Sequence, residues 1–106
     1  MTAETKLMAQ PGCAELLKAL GDETRLLVVK YLLEEALHAG ELQAKIGVEQ
    51  SLLSHHLRLL REAGIVESER DGKAVLYRLA SSVEECRNGR TLDLGCCQLS
   101  FQSTCC

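Results

Sequence analysis

"EQSLLSHHLRLLREAGIVESERDGKAVLYRL", residues 49–79, is the stretch on which the fold turns. Its first half, about Glu49 to Ala63, returns leucines at helical spacing and stops at Gly64, a natural helix C-cap. Its second half carries Asp71-Gly72 between two strand-like runs, among the strongest local signals for a β-hairpin. Val75, Tyr77 and Leu79 alternate along the second run, as one face of a strand requires.

Upstream, a short helix is expected over roughly Ala39 to Ile46, with Gly47 supplying the tight turn into the next one. Before it, "GDETRLLVVKYLLEEAL" reads as a longer helix. Gly21 ends the preceding element, Asp22 is placed to cap the new one, and Glu23 suits the positive end of its dipole. Leu26, Val29 and Leu33 form its inward stripe. A first helix begins just after Pro11-Gly12, with Cys13, Leu16, Leu17 and Leu20 on one apolar face. The order is helix, helix, short helix–turn–helix, β-hairpin: mainly α with a small β-hairpin, the layout of a winged helix-turn-helix.

The 106 residues point to one compact body with a modest core, which favours an obligate homodimer sharing apolar surface. No apolar run approaches the length of a membrane span, and the opening "MTAETKLMAQPG" lacks the apolar core of a secretory signal. The expected location is therefore cytoplasmic, where thiols stay reduced, so six cysteines suggest metal or redox chemistry rather than a disulfide framework. The net charge of −3 weighs mildly against a nucleic-acid partner. It does not decide the matter, because the placement of positive charge counts for more than the sum.

The helix of residues 49–63 divides into two arcs. Leu52, Leu53, Leu57, Leu59, Leu60 and Ala63 occupy one; Gln50, Ser51, Ser54, His55, Arg58, Arg61 and Glu62 occupy the other. Gln pairs bidentately with adenine, Ser reaches base edges or phosphate, and Arg pairs guanine or phosphate. A solvated helix face has the same composition, so this arc alone leaves both readings open. His55 lies in the polar arc and is assigned to DNA. His56 falls among the leucines and is assigned to the core, hydrogen-bonded to backbone. Arg70 and Lys73 flank the hairpin tip and can reach a phosphate or the minor groove.

Three stretches together resemble the ArsR/SmtB family of metal-responsive bacterial repressors: "LGDETRLLVVKYL", "GELQAKIGVEQSLLSHHLRLLREAGIV" and "RDGKAVLYRL". The resemblance covers about residues 15 to 79. It implies a homodimeric winged-helix repressor on a double-stranded operator palindrome, released when an inducer binds. It also supports Gln50, Ser51, Ser54, His55 and Arg58 as DNA-facing. On this view residues 1–80 form the DNA-binding domain and residues 81–106 a dimerisation and cysteine-rich sensing tail.

The sequence departs from the family pattern twice. The Cys-x-Cys that many arsenic and cadmium sensors carry before the recognition helix is replaced by His38 and Gly40. The Asp/His zinc ligands of a long final helix are missing too: "SSVEECRNGRTLDLGCC" has no histidine and is interrupted by Gly89 and Gly95. What remains is "GCCQLSFQSTCC", with adjacent cysteines of the kind some arsenic sensors of the family place near the C-terminus.

Neighbouring cysteines project two thiols from one short segment but are poorly placed to bridge each other, their Cα atoms being about 3.8 Å apart. They suit a soft centre instead: As(III) or Sb(III) with three thiolates, or Cd, Pb or Zn with an all-sulfur set. Cys96 and Cys97 are the expected fixed ligands, with one of Cys105 and Cys106 completing the set and the other spare. The apolar alternation of "TLDL" predicts a partly ordered segment beside them. Cys13 is assigned to packing in the first helix and Cys86, flanked by acids, is set apart from the site. A thiol redox or persulfide sensor of the same fold is the alternative, and a metal-buffering or protein-binding module a third. No paired carboxylates, phosphate loop or nucleophile–base set suggests an enzyme.

Overall fold

The computed structural model describes residues 12–81, 91–94 and 97–100. The described residues include four helices whose ends follow the punctuation: α1 (Cys13–Ala19), α2 (Glu23–Glu34), α3 (Ala39–Ile46) and α4 (Gln50–Glu62). The strands are β1 (Leu37–His38), β2 (Val66–Asp71), β3 (Ala74–Leu79), β4 (Thr91–Asp93) and β5 (Gln98–Ser100).

Each helix boundary has a local cause. The Asp22 carboxylate accepts hydrogen bonds from the backbone N–H of Thr24 (2.9 Å) and Arg25 (3.2 Å), satisfying two donors that the first turn of α2 leaves open. Gly47 adopts φ 82° after α3, and its N–H reaches the carbonyl of Gln43. Gly64 adopts φ 81° after α4. There the N–H of Gly64 bonds to the Arg61 carbonyl and that of Ile65 to the Leu60 carbonyl. This is the Schellman pairing, and it turns the chain directly into β2 with Ile65 fully buried.

The wing is a three-stranded antiparallel sheet in the order β1-β3-β2. Val66 pairs with Leu79 and Asp71 with Ala74, so the hairpin loop is the two residues Gly72-Lys73, one step on from the Asp-Gly expected to make the turn. Gly72 has φ 68° and Lys73 does not share the positive sign, the combination of a type II′ turn. β1 pairs with β3 through Leu37–Tyr77 and His38–Leu76, which places β3 in the centre. Burial along β3 is correspondingly graded rather than alternating, rising to full burial only at Leu79.

One core joins these elements. Val28, Val29, Leu32 and Leu33 of α2 meet Leu42 of α3, Leu53, Leu57 and Leu60 of α4, and Ile65, Val66 and Leu79 of the wing. Leu92 and Leu94 belong to the same cluster, with Cys97 and Leu99 packed against it, so the small β4–β5 hairpin is seated on the core. The ordered "TLDL" segment is thereby explained: Leu92 and Leu94 are its inward residues. Two apolar stripes are narrower than periodicity implied. Leu17 (44% exposed) and Leu52 (45% exposed) sit at the edge of their helices and face outward. In α2 the buried face is wider than expected, since Val28 and Leu32 are buried beside Val29 and Leu33.

Candidate DNA-reading surface and cysteine site

The helix–turn–helix is α3, the three-residue turn 47–49 and α4. Leu53, Leu57 and Leu60 fix α4 against the core. The opposite arc is thereby presented outward: Gln50, Ser51, Ser54, His55 and Arg58 are all exposed. Ser51, Ser54, His55 and Arg58 line one shallow concavity. Arg58 Nε lies 3.9 Å from Glu62 Oε2, a loose exposed pair that leaves the guanidinium available.

His56 is buried, as expected, but its partners are side chains rather than backbone. Its Nδ1 lies 3.5 Å from an Arg25 guanidinium nitrogen and its Nε2 lies 3.8 Å from Asp22 Oδ2. Burial pushes the imidazole pKa down; Asp22 pulls it back up, while Arg25 and His55 add to the depression. The ring is thus neutral at neutral pH, with Nδ1 facing the guanidinium donor. It joins the N-terminus of α2 to the recognition helix, so Asp22 caps one helix and braces another. Arg25 Nε is buried without a hydrogen-bond partner among the described residues.

Arg70 and Lys73 are exposed at the wing tip. Arg78 is engaged instead by Glu69 (2.8 Å) and Glu67 (3.7 Å) on β2. The wing is tied to the helix–turn–helix by His38, one of the two residues that stand where many family sensors carry Cys-x-Cys. His38 Nε2 lies 2.8 Å from Asp71 Oδ2 at the end of β2, and its Nδ1 lies 3.0 Å from Glu41 Oε1. The His38 backbone N–H also donates to Glu41 Oε1 at 2.7 Å, as the third residue of a helix does in a capping box. Asp71 first and Glu41 second raise the His38 pKa above its ordinary value, because both ring nitrogens face carboxylates.

Of the tail cysteines, Cys97 falls within the described residues; Cys96, Cys105 and Cys106 lie outside them, as does Cys86. Cys97 is half-buried, and its carbonyl accepts a 2.9 Å hydrogen bond from Leu94 N–H that closes the β4–β5 turn. Its Sγ lies 3.9 Å from Cys13 Sγ. Cys13 is disulfide-bonded. The assignment of Cys13 to plain packing is therefore incomplete: it is half-buried at the start of α1 and faces sulfur. No spacing rule could have shown this, because 84 positions separate the two residues. Among the described residues, no group of three or more His, Cys, Asp or Glu side chains is arranged to hold a metal ion. Nor is any described helix long and apolar enough to cross a membrane.

A capped helix–turn–helix with an outward polar arc, beside a braced hairpin that exposes Arg70 and Lys73 at its tip, defines a winged-helix DNA-binding regulator. Residues 22–68 match the model for bacterial regulatory proteins of the arsR family. The chain is 42% identical over 82 residues to the biofilm growth-associated repressor of Xylella fastidiosa, spanning 77% of this chain and 72% of that one. The crystal structure of the repressor BigR from Xylella fastidiosa superposes with a TM-score of 0.64 at 41% identity, covering 77% of this chain and 84% of that one. A homodimeric winged helix-turn-helix domain from Mycobacterium bovis, Mb0332, gives a TM-score of 0.68 at 26% identity, covering 77% and 74%. The chain belongs to the ArsR/SmtB family of DNA-binding transcriptional regulators, which are not enzymes.

Proposed function

We propose that the protein is a homodimeric repressor that leaves its operator when tail thiolates bind a soft metalloid, As(III) or Sb(III). The observation that carries the DNA-binding half is the convergence of Ser51, Ser54, His55 and Arg58 on one outward concavity, with Gln50 at the helix start. Two such helices about 34 Å apart, one DNA turn, would enter successive major grooves. Gln50 and Arg58 then read or clamp the duplex, and Arg70 and Lys73 neutralise phosphates beside it.

Cys96, Cys97, Cys105 and Cys106 are the residues that would hold the ion. Thiolates in a cytoplasmic protein are matched to trivalent arsenic and antimony; Cd, Pb and Zn accept the same donors. Residues 81–106 thus act as the sensing and dimerisation segment appended to a DNA-binding domain of residues 1–80. Seating of the β4–β5 hairpin on the core, through Leu92 and Leu94, supports this reading, because a ligand gathered at Cys97 acts on an element already packed against the DNA-binding body.

The test is a gel shift on the palindrome upstream of the gene, with and without arsenite under reducing conditions. Arsenite is expected to release wild type and to leave Cys96→Ser/Cys97→Ser protein bound. Equal release of both sinks the site assignment. A second reading, thiol redox sensing, is favoured by one observation: Cys13 is disulfide-bonded, and its Sγ lies 3.9 Å from Cys97 Sγ. Under it, an oxidant or persulfide donor releases DNA and arsenite does not.

A further inference from the structure

We infer that His38 is a positioning residue for DNA binding: its hydrogen bond to Asp71 holds the outer end of the wing, and with it Arg70 and Lys73, in place beside the helix–turn–helix. This rests on the reading that the wing tip meets phosphates. It gives a part in recognition to a residue outside the DNA-facing arc of α4.

The wing needs a tie at that end. Its base is anchored, because the paired Val66 and Leu79 are both in the core. At the other end of the ladder Asp71 pairs with Ala74, and both are exposed. At about 3.4 Å per residue the two ends of β2 stand about 17 Å apart. β1 supports β3 only at Leu76 and Tyr77, so the outer pairs form a two-stranded ribbon, the form of sheet that twists most. Arg70 and Lys73 flank Asp71 in sequence, so whatever fixes Asp71 fixes the direction in which these two cations leave the wing.

His38 is well placed to start such a tie. It is the N-cap of α3, and its backbone N–H donates to Glu41 Oε1 at 2.7 Å. α3 runs through the turn 47–49 into α4. From this fixed point Nε2 reaches Asp71 Oδ2 at 2.8 Å, while Nδ1 lies 3.0 Å from Glu41 Oε1. Among the described residues, the charged groups facing the ring are Asp71 from β2 and Glu41 from α3; its cross-strand neighbour on β3 is the apolar Leu76. Lys45 acts on Glu41 from the same helix. A neutral imidazole carries one N–H, so it donates to one carboxylate and turns a lone pair towards the other. The imidazolium donates to both. The tie is therefore complete in the protonated ring and weakens as pH rises.

The test is fluorescence anisotropy of the full chain with a labelled duplex carrying the palindrome upstream of the gene. At about pH 6, His38→Gln is expected to bind about 3–20-fold more weakly than wild type, the scale of an exposed ion pair acting once in each wing of a dimer. By about pH 9, where the wild-type ring is neutral, the difference should fall below about 2-fold. Asp71→Ala breaks the tie but leaves the cap of α3 in place. In that background, and in Arg70→Ala/Lys73→Ala, the further change His38→Gln should cost less than about 2-fold even at the lower pH. A direct pull of the imidazolium on DNA would persist in both backgrounds, and damage confined to α3 would persist at every pH; either result overturns the positioning role. If Arg70→Ala/Lys73→Ala leaves affinity unchanged, the wing contacts themselves fail. If it weakens binding and His38→Gln costs as much on top of it, the wing contacts stand and the positioning role alone falls. Thermal melts show that each variant is folded at the pH of the measurement.

Discussion

His38 Nε2 sits 2.8 Å from Asp71 Oδ2, joining the N-terminus of the first helix of the helix–turn–helix to the tip of the wing. With Glu41 on its other nitrogen, His38 favours the imidazolium form, and its pKa is raised above 6.5 by the hydrogen bonds to Asp71 and then Glu41. A raised folded pKa contributes stability that is fully present below the unfolded value and is lost as pH rises through the folded value. Wild type should therefore lose thermal stability between about pH 6.5 and the raised value, relative to His38→Gln, which lacks this dependence. Melting curves across pH 5.5–9, roughly the window in which histidine titrates, check it. Parallel curves for the two proteins would refute the link.

The proposed DNA contacts separate into two kinds with different signatures. Lys73→Ala and Arg70→Ala should weaken binding nearly uniformly across sequences and flatten the salt dependence by about one per phosphate contact removed. Gln50→Ala should cost about 1–3 kcal/mol on the operator and relax preference at one base position. All three side chains are exposed, so melting temperatures should barely move. Fluorescence anisotropy at several salt concentrations distinguishes the outcomes.

Within α4, burial rather than residue type should set the cost of truncation. Leu57 is 1% exposed and Leu60 0%, so either leucine-to-alanine change should destabilise by about 2–5 kcal/mol. Leu52, 45% exposed, should tolerate the same change with little loss. Urea denaturation of the three variants gives the comparison. A large loss from Leu52→Ala in the isolated chain would contradict its outward placement.

Asp22 serves both α2 and His56. Burial tends to raise its pKa, but the backbone N–H of Arg25, the His56 charge and the N–H of Thr24 outweigh this and lower it below 3.8. Its contribution is present above about pH 3.8 and is lost as pH falls through the lowered folded value. Asp22→Ala should cost about 0.5–2 kcal/mol at neutral pH, the range for a lost helix cap, and the gap to wild type should narrow in acid. Denaturant melts at pH 7 and at acid pH test the sign.

The helices and wing were legible because their ends carry local chemistry: Asp22 as a cap, Gly47 and Gly64 as left-handed stops, and a glycine at the hairpin tip. Periodicity placed Leu53, Leu57 and Leu60 inward, and left Gln50, Ser51, Ser54, His55 and Arg58 outward as a consequence. It misplaced Leu17 and Leu52, because a stripe predicts direction but not how far the covering neighbours extend. β1 is two residues long and exists only through pairing with β3, so no local pattern announces it. The partners of His56 and the role of His38 come from elements distant in sequence. The approach of Cys13 to Cys97 is the extreme case: 84 positions separate them, and the seating of the β4–β5 hairpin on the core brings their sulfurs to 3.9 Å.

The central claim is that metalloid binding and DNA binding oppose each other through one protein. Isothermal titration of As(III) into the reduced full chain, alone and saturated with operator duplex, measures this directly. Linkage requires that the factor by which arsenic weakens DNA binding equal the factor by which DNA weakens arsenic binding. The account predicts arsenic affinity about 5–150-fold lower on the DNA complex, the usual span of such coupling. Equal affinities for the free and DNA-bound protein would contradict it.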